Sequence, residues 1–578
     1  MRDLLDDYAA AIGSSLRLAL PATAIRNRSL AARRLLARAA LGDAGTLDDL
    51  IAAARAGNRR WLRRIRGGID LGALAALAQT IALQDIEPAD RTDATAIYEL
   101  MRTALGPRSL TPANQGLHTQ LALDQDPEKA RALLGAYPGM REAIRAGIEV
   151  DVLNPFVAAR PAQAWLAAFQ ALLPEPWPTL GGPASLAPFD RLTAGSAPEG
   201  SRVDAPQRIS VVVTAYRPGE GLITAMRSIV AQTWSNVEVI LVDDGSPPEF
   251  DAVLGRAAAL GERTRLIRLR TNSGTYAARN AGLAAAGGEF VAFQDSDDWS
   301  HPRRLEWQVD PLLADRRLVA TTSDGLAVTD DLLISRLGIR SGRLNPSSLL
   351  FRRAVVLARI GYFDRLRKAA DSEYIGRIRA AFGGRAVRHV GRLDGESAPL
   401  ALIRLSDDSL SRAEIKAHWM HPARVAYSSA YLRWHHLIAR GEADPYRPAD
   451  GRDRPFAVPA YLTTRGERSA RRYDVVVVAD WRFLDGTQLA AVDEIRALAG
   501  AGRRVAVAQL ESYRAVYLRR AALCAPIQQL INDRVVDQVL PGDRAVARLV
   551  LVRQAAVLQF APEAATGLRA ERGCGKCR

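Results

Sequence analysis

A chain of 578 residues with 48% hydrophobic content is long enough for about three to four domains with cores of their own. The formal charge of +15 invites a polyanion reading, yet only four of the 78 basic residues are lysines (Lys129, Lys368, Lys416, Lys576) and the arginines are scattered. With no nucleic-acid-binding motif beside them, they read as solvated surface or as attraction for an anionic substrate, and no nucleic-acid partner is expected. Three cysteines, Cys524, Cys574 and Cys577, exclude a disulfide framework, and the terminal pair has no second pair or nearby histidine to close a zinc site.

No apolar run of about 18 residues and no basic-then-apolar leader pattern is present, so the expectation is a soluble, cytoplasmic protein, at most peripheral to the inner face of a membrane. Residues 1–190 read as an all-α domain. Apolar residues recur every three or four positions from Leu30, from Ile51 to Ile65 and from Leu71 to Leu83, and Asp126-Pro127-Glu128 has the form of a helix start. The region is assigned as a packing scaffold, with protein or peripheral membrane association as its possible use, and the Trp61-Leu-Arg-Arg-Ile-Arg face as a solvated helix edge. From Pro174 to Pro206 the chain is rich in Pro, Gly, Ser and Ala. This stretch reads as a linker or a domain-packing strap, with 191–205 as the linker proper.

The pattern then changes to strands alternating with helices, each strand ending in polar residues. The strands begin at Ile209, Val237, Thr264 and Glu289 and run into Thr214-Ala-Tyr216, Asp243-Asp-Gly-Ser246, Asn272-Ser-Gly-Thr-Tyr-Ala-Ala-Arg-Asn-Ala-Gly282 and Asp295-Ser-Asp-Asp-Trp299. Such alternation describes a parallel α/β sheet with its ligand site beyond the carboxyl ends of the strands. Asp295, Asp297 and Asp298 end an apolar strand, which is unfavourable unless positive charge lies against them. Hard carboxylate oxygens there suit Mg²⁺ or Mn²⁺, which keep open positions for substrate phosphates. Asp243 or Asp244 can accept from a base imide or ribose hydroxyl, Tyr216 offers a stacking face, and Arg279 can pair with a phosphate or an aspartate. Together these describe a nucleotide-diphosphate site.

The four motifs, in this order within about ninety residues, resemble the family 2 glycosyltransferases of GT-A fold. Downstream, Asn345-Pro-Ser-Ser-Leu-Leu-Phe-Arg-Arg and Ile360-Gly-Tyr-Phe-Asp are similar to that family's acceptor-side segment, and Ala370-Asp371-Ser-Glu373-Tyr-Ile-Gly-Arg377 to its acidic helix motif. The resemblance implies a metal-dependent, inverting transfer from a nucleotide-sugar, UDP-linked by preference, to a glycan or glycolipid hydroxyl. It places donor binding on Thr214, Tyr216, Asp243, Asp244, Arg279 and Asp295, the metal on Asp297 and Asp298, the general base on Asp371, and acceptor-side roles on Glu373 and Arg404. Two departures stand out: Ala370 replaces a frequent glutamate, and Ile403-Arg404-Leu-Ser-Asp-Asp-Ser409 keeps an arginine but no histidine, leaving a third metal ligand unidentified. His418 and His421 are spaced like a metal pair, but interleaved Trp419 and Trp434 favour a packed helix face. The position three before Arg433-Trp434 is Ala430, so the signature of processive members is missing, and a non-processive enzyme is expected.

Two competing readings are a sugar-phosphate nucleotidyltransferase and a non-catalytic nucleotide-sugar-binding or scaffold protein. The first lacks a Gly-rich loop with lysine between Ile209 and Gly221. The expected architecture is completed by the GT-A domain at 206–440, a polar connector at 441–470 and a small Rossmann-like α/β domain at 471–578. Tyr473-Asp-Val-Val-Val-Val-Ala-Asp480 and the helix from Gly486 resemble the opening of a GT-B type domain, with a partial accessory unit expected rather than a second active site.

Overall fold

The computed structural model describes residues 7–8, 18–195, 203–393, 396–406, 413–463, 469–562 and 567–571. Among these, ten α-helices lie between Ala19 and Gln170. Alanine and leucine on repeating faces favour them, and side-chain caps start several: Thr46 and Asp49 form a reciprocal capping box, and Asp126 accepts from the backbone N–H of Glu128 and Lys129. Their apolar faces bury Leu35, Leu36, Leu74, Leu77, Ile97 and Tyr98 in one core. The region clasps the loop ahead of the strand Gly342–Arg352. Asp151 accepts from Ile334 and Ser335 N–H at 2.8 and 2.7 Å, and Gln120 accepts from Gly338 N–H.

The stretch expected as linker or strap is a packed strap over its described part. Its short strands β1 (Pro178–Leu180) and β2 (Leu192–Ala194) pair antiparallel, Phe189 is buried, and Thr224 donates to Asp190 at 3.1 Å. The central sheet follows. Four strands, β3 (Ile209–Ala215), β4 (Val237–Asp243), β5 (Thr264–Arg268) and β6 (Phe290–Asp295), run parallel in the order β5-β4-β3-β6. Every residue of β3 is buried, as expected for a central strand covered on both faces. Beyond β6 the sheet becomes mixed. β7 (Trp299–Ser300) lies at the far edge, β8 (Ala320–Val328) and β9 (Gly342–Arg352) are antiparallel to each other, and β10 (Val387–Val390) pairs parallel with β8. After the small ladder of β11 (Arg392–Leu393) and β12 (Glu396–Ser397), β13 (Ala401–Arg404) pairs with β8 and β7. A second small ladder joins β14 (Ile415–Lys416) to β15 (Trp419–Met420). The helix Pro422–Ala439 then packs over the helix Ala370–Phe382, burying Tyr427 and Trp434 against Tyr374 and Ile378. This mixed α/β sheet behind a helical region is the GT-A class of architecture expected above.

The C-terminal unit is a five-stranded, all-parallel sheet: β16 (Arg471–Ala479), β17 (Val505–Gln509), β18 (Asp537–Val539), β19 (Arg544–Val552) and β20 (Gly567–Ala570), ordered β18-β17-β16-β19-β20. That order reverses direction between β16 and β19, the doubly wound arrangement. The space beyond the carboxyl ends of β16 and β17 is filled from within. Asp480 accepts from Arg482, Gln509 and Ser512 N–H, and Arg482 also pairs with Glu511 at 2.9 Å. Arg26 of the helix Ala19–Asn27 reaches across to grip Glu511 through Nε at 2.9 Å and its terminal nitrogen at 2.8 Å. The unit is thereby locked to the N-terminal helices, whose core also takes in Tyr513 and Phe560. The terminal Cys574 and Cys577 lie outside the described residues. No helix among the described residues is long and apolar enough to cross a membrane.

Removing one partner of a buried ion pair leaves the other charge desolvated and uncompensated. Glu511→Ala, which takes the carboxylate partner from Arg26 and leaves Arg482 with Asp480 alone, is therefore expected to lower stability by about 3 kcal/mol in urea unfolding. Arg55→Ala, on a half-exposed pair with Asp93, is expected to lower it by less than about 1 kcal/mol.

Candidate active site

The parallel strand order reverses between β3 and its neighbours β4 and β6, the place where an open α/β sheet leaves a crevice at the carboxyl ends of its strands. Register places Thr214 there, opposite Val242 on one side and Asp295 on the other. Just past the strand, Tyr216 is half-buried with the Arg217 guanidinium over its ring, 5.3 Å from the centroid.

Asp243 and Asp244 are both buried and serve local structure first. Asp243 accepts from Ser246 N–H at 3.1 Å, closing the turn in which Gly245 has φ +73°. A side chain on Gly245 would fall 2.6 Å from the Thr271 carbonyl carbon. Asp244 accepts from Ser273 N–H at 2.7 Å and Gly274 N–H at 2.8 Å, one on each oxygen. It therefore braces the loop that starts the helix Thr275–Ala285, in addition to any ligand contact expected of it.

Arg279, on that helix, is 2% exposed. Of the two partners expected for it, phosphate or aspartate, it has the aspartate: its terminal nitrogen donates to Asp295 at 2.6 Å and to Ser347 at 3.1 Å. Ser347 in turn donates to the other Asp295 oxygen at 2.6 Å. Burial works against the Arg279 charge, but Asp295 outweighs it and raises the guanidinium pKa. The faces of Tyr276 and Phe293, 5.2 and 5.4 Å from the guanidinium carbon, complete its surroundings. Arg279 thus orients Asp295 and lies beneath the crevice.

The two following carboxylates differ. Asp298 is buried and accepts from Arg404 N–H at 2.9 Å. Burial, and then the charges of Asp297 and Asp295, hold its carboxyl well above the usual range. Asp297 is partly exposed, and no hydrogen bond or ion pair to another described residue engages its side chain. Burial and Asp295 push it up to about 6, with Arg404 opposing. Behind this turn Arg304 is buried, donating to Gln294 and Ser300 at 2.7 Å and to the Phe293 carbonyl at 2.6 Å.

Arg404 is held away from ligand duty. It makes a two-point contact with Asp190 at 2.7 and 3.0 Å, pairs with Asp330 at 2.6 Å, and lies over the Phe189 ring. Burial opposes its charge, and Asp190 and Asp330 override that and raise its pKa. Its side chain pins the strap to the central sheet, while its backbone N–H serves Asp298. Ser409, downstream, lies outside the described residues.

Asp371 opens the helix Ala370–Phe382, partly exposed, with one oxygen accepting from Ser372 N–H at 2.7 Å. Its charge and that of Asp295 both act on the buried Tyr276 hydroxyl and on Arg279, and the Tyr276 N–H donates to the Leu366 carbonyl, so the segment leading to Asp371 packs against the helix that carries Arg279. Glu373, two residues on, points the other way. It is fully buried between Arg377 and His435, each at 3.0 Å, and their charges outweigh burial to hold its carboxyl below the usual range. Glu373 is therefore an anchor between two helices, with both oxygens engaged by protein partners. Of the histidines, His421 caps the helix Pro422–Ala439 by accepting from Ala423 N–H and stacks on Tyr461 at 4.0 Å.

Among the described residues no group of three or more Asp, Glu, His or Cys side chains is disposed to hold a metal ion. Mg²⁺ and Mn²⁺ commonly take one or two carboxylates and complete their shell with phosphates and water. Asp297, without a bonded partner, and the Asp298 oxygen opposite the one that Arg404 engages fit that pattern, and their raised pKa values mark charge that a cation would relieve. Ser347, Arg304, Asp190 and Asp330 are structural partners of the site that residue pattern did not single out. Of these only Ser347 sits within a quoted motif.

A family model described as glycosyl transferase family 2 matches residues 210–340. Putative glycosyltransferase EpsE of Bacillus subtilis is 35% identical over 141 residues, which is 24% of this chain and 49% of that protein. Succinoglycan biosynthesis protein ExoO of Rhizobium meliloti is 39% identical over 108 residues, 19% of this chain and 30% of that protein. The solved structure of S. aureus TarS 1-349 in complex with UDP is similar over 41% of this chain and 70% of that one, at 16% identity and a TM-score of 0.30. The matched stretches cover less than half the length of these two relatives. The central region, from 210 to 340, is a family 2 glycosyltransferase domain set within a chain that continues on both sides of it.

Proposed function

We propose that residues 206–440 transfer a sugar, with inversion, from a nucleotide-diphosphate donor to a hydroxyl of a glycan or glycolipid, in a metal-dependent and non-processive reaction. The observation that supports this reading is that Asp243 and Asp295 close the two strands flanking β3, with Asp297 two residues on, while the segment leading to Asp371 packs on the helix that carries Arg279 through the Tyr276 N–H to Leu366 carbonyl contact. Tyr216 flanks the nucleobase, and Thr214 and Asp243 line the nucleoside side. Asp295, fixed by Arg279 and Ser347, takes the ribose side. Asp297, with Asp298 behind it, would hold Mg²⁺ or Mn²⁺. When bound, such an ion supplies positive charge against the diphosphate as it departs.

Asp371 acts as base. Its free oxygen accepts the proton of the acceptor hydroxyl as that oxygen attacks the anomeric carbon from the face opposite the leaving group. Arg279 holds Asp295 in place without touching substrate. The acceptor class rests on the relatives, among which ExoO is named for succinoglycan biosynthesis. A uridine donor is the first to test, and the helical N-terminal region is assigned to docking on protein or membrane.

Calorimetric titration with UDP, GDP and dTDP, each with and without Mn²⁺, tests the donor site. One of them is expected to bind in a Mn²⁺-dependent way, and Asp297→Asn is expected to weaken that binding by at least about tenfold. Binding of none by the folded chain would remove this reading. Asp371→Asn is expected to reduce kcat by about 10²–10⁴ while leaving donor affinity within about twofold, since the base acts on the acceptor. An equal loss in donor affinity would instead make Asp371 part of the donor pocket.

A further inference from the structure

Arg343 lies on the strand that borders the candidate site, and its guanidinium has no hydrogen bond or ion pair among the described residues. It lies near the start of β9, opposite Gly325 of β8, and that end of β9 runs past the carboxyl end of β6: Ala292 pairs with Leu350, and Ser347 reaches Asp295. Its neighbours are otherwise engaged. Arg279 is bonded to Asp295 and Ser347, Arg304 to Gln294, Ser300 and the Phe293 carbonyl, and Arg404 to Asp190 and Asp330. Arg343 has no hydrogen bond or ion pair within the described residues. It is partly desolvated, and Asp298 is the carboxylate whose charge reaches it.

An arginine fork carries five donors matched to two oxygens at a time, and it is unfavourable to desolvate it with none of them used. Solvent covers part of the need here. The remaining need is best met by an anion that enters the crevice. Asp295 and Asp297 at that crevice repel a diphosphate, and Arg217, the other arginine described there, is exposed and lies over the Tyr216 ring. The arginine at position 404, expected on the acceptor side, is instead built into the strap contact.

We propose that Arg343 binds the distal phosphate of the nucleotide-diphosphate donor, the phosphate that carries the sugar, and stabilises it as the diphosphate leaves. This inference rests on the donor-site reading given above. It makes Arg343 a substrate-binding residue that separates diphosphates from monophosphates.

The test compares each nucleoside diphosphate that the full chain binds with the matching monophosphate, by calorimetry in Mn²⁺. Arg343→Met is expected to weaken the diphosphate by about tenfold and to leave the monophosphate within about twofold, because only one of them carries the distal phosphate. Arg343→Lys keeps the charge without the fork. It is expected to give a smaller loss in the same direction, and it serves as the comparison should the Met variant not fold. Equal losses for both nucleotides, or no loss for either, would overturn the assignment while leaving the donor site standing. If the wild-type chain binds no nucleoside diphosphate, the donor-site reading itself fails, and the assignment of Arg343 fails with it.

Discussion

Three carboxylates within four residues at the end of a buried strand cannot remain there uncompensated, and much of the central domain is arranged around that constraint. Asp295 is offset by Arg279 and Ser347, and Asp298 by the Arg404 N–H with the Arg304 charge behind it. Asp297 is the member left without such a partner. The compensation is graded: the carboxylates at the two ends of the turn are fixed by protein donors and the one between them faces the crevice. Each compensating group needs support of its own. Arg279 can be buried because Tyr276 and Phe293 cover it, and the helix carrying it starts where Asp244 holds Ser273 and Gly274. Gly274 has φ +96°, and a side chain there would lie 3.0 Å from Arg367 Cα, so only glycine accommodates this approach without strain.

The flanking regions complete this arrangement. Arg404 ties Asp190 of the strap to Asp330, while its backbone serves Asp298, so one residue links the carboxylate turn to chain that lies before the first central strand. The N-terminal helices hold the 334–338 loop through Asp151 and Gln120, and that loop leads into β9, which carries Ser347. The C-terminal sheet closes on the same helices through Arg26 and Glu511. Its carboxyl edge, where a doubly wound sheet would receive a ligand, is filled by Arg482. These contacts join the C-terminal sheet to the N-terminal helices.

What could be read from sequence divides along the range of the interactions. The strand–helix alternation and the polar strand ends were legible because they are periodic and local, and the four carboxyl-end motifs lie within about ninety residues. The partner of Arg279 was legible as one of two options. Its contact spans 16 positions, and either phosphate or aspartate satisfies a guanidinium. Glu373 and Arg404 were not legible. The contact between Glu373 and His435 spans 62 positions and that between Arg404 and Asp190 spans 214, and nothing in residue type separates a buried structural carboxylate from one facing a ligand. The C-terminal sheet was half legible. The valine-rich β16 and the following β17 stand out, whereas β18 and β20 are only three and four residues long and recognisable only by their pairing.

The scarcity of lysine takes on meaning in this setting. Arg26, Arg33, Arg279, Arg304 and Arg377 are buried, the Arg482 side chain nearly so and Arg404 in part, and most bridge two or more acceptors, such as Asp90 and Gln84 around Arg33. A lysine at such a place offers a single ammonium point and a larger desolvation penalty, so it could not hold two elements in register in the same way. These seven of the 78 basic residues act as internal mortar rather than as surface field. Against that background a partly desolvated arginine beside the crevice with its fork unused stands apart, and it is on this ground that Arg343 is assigned a binding role.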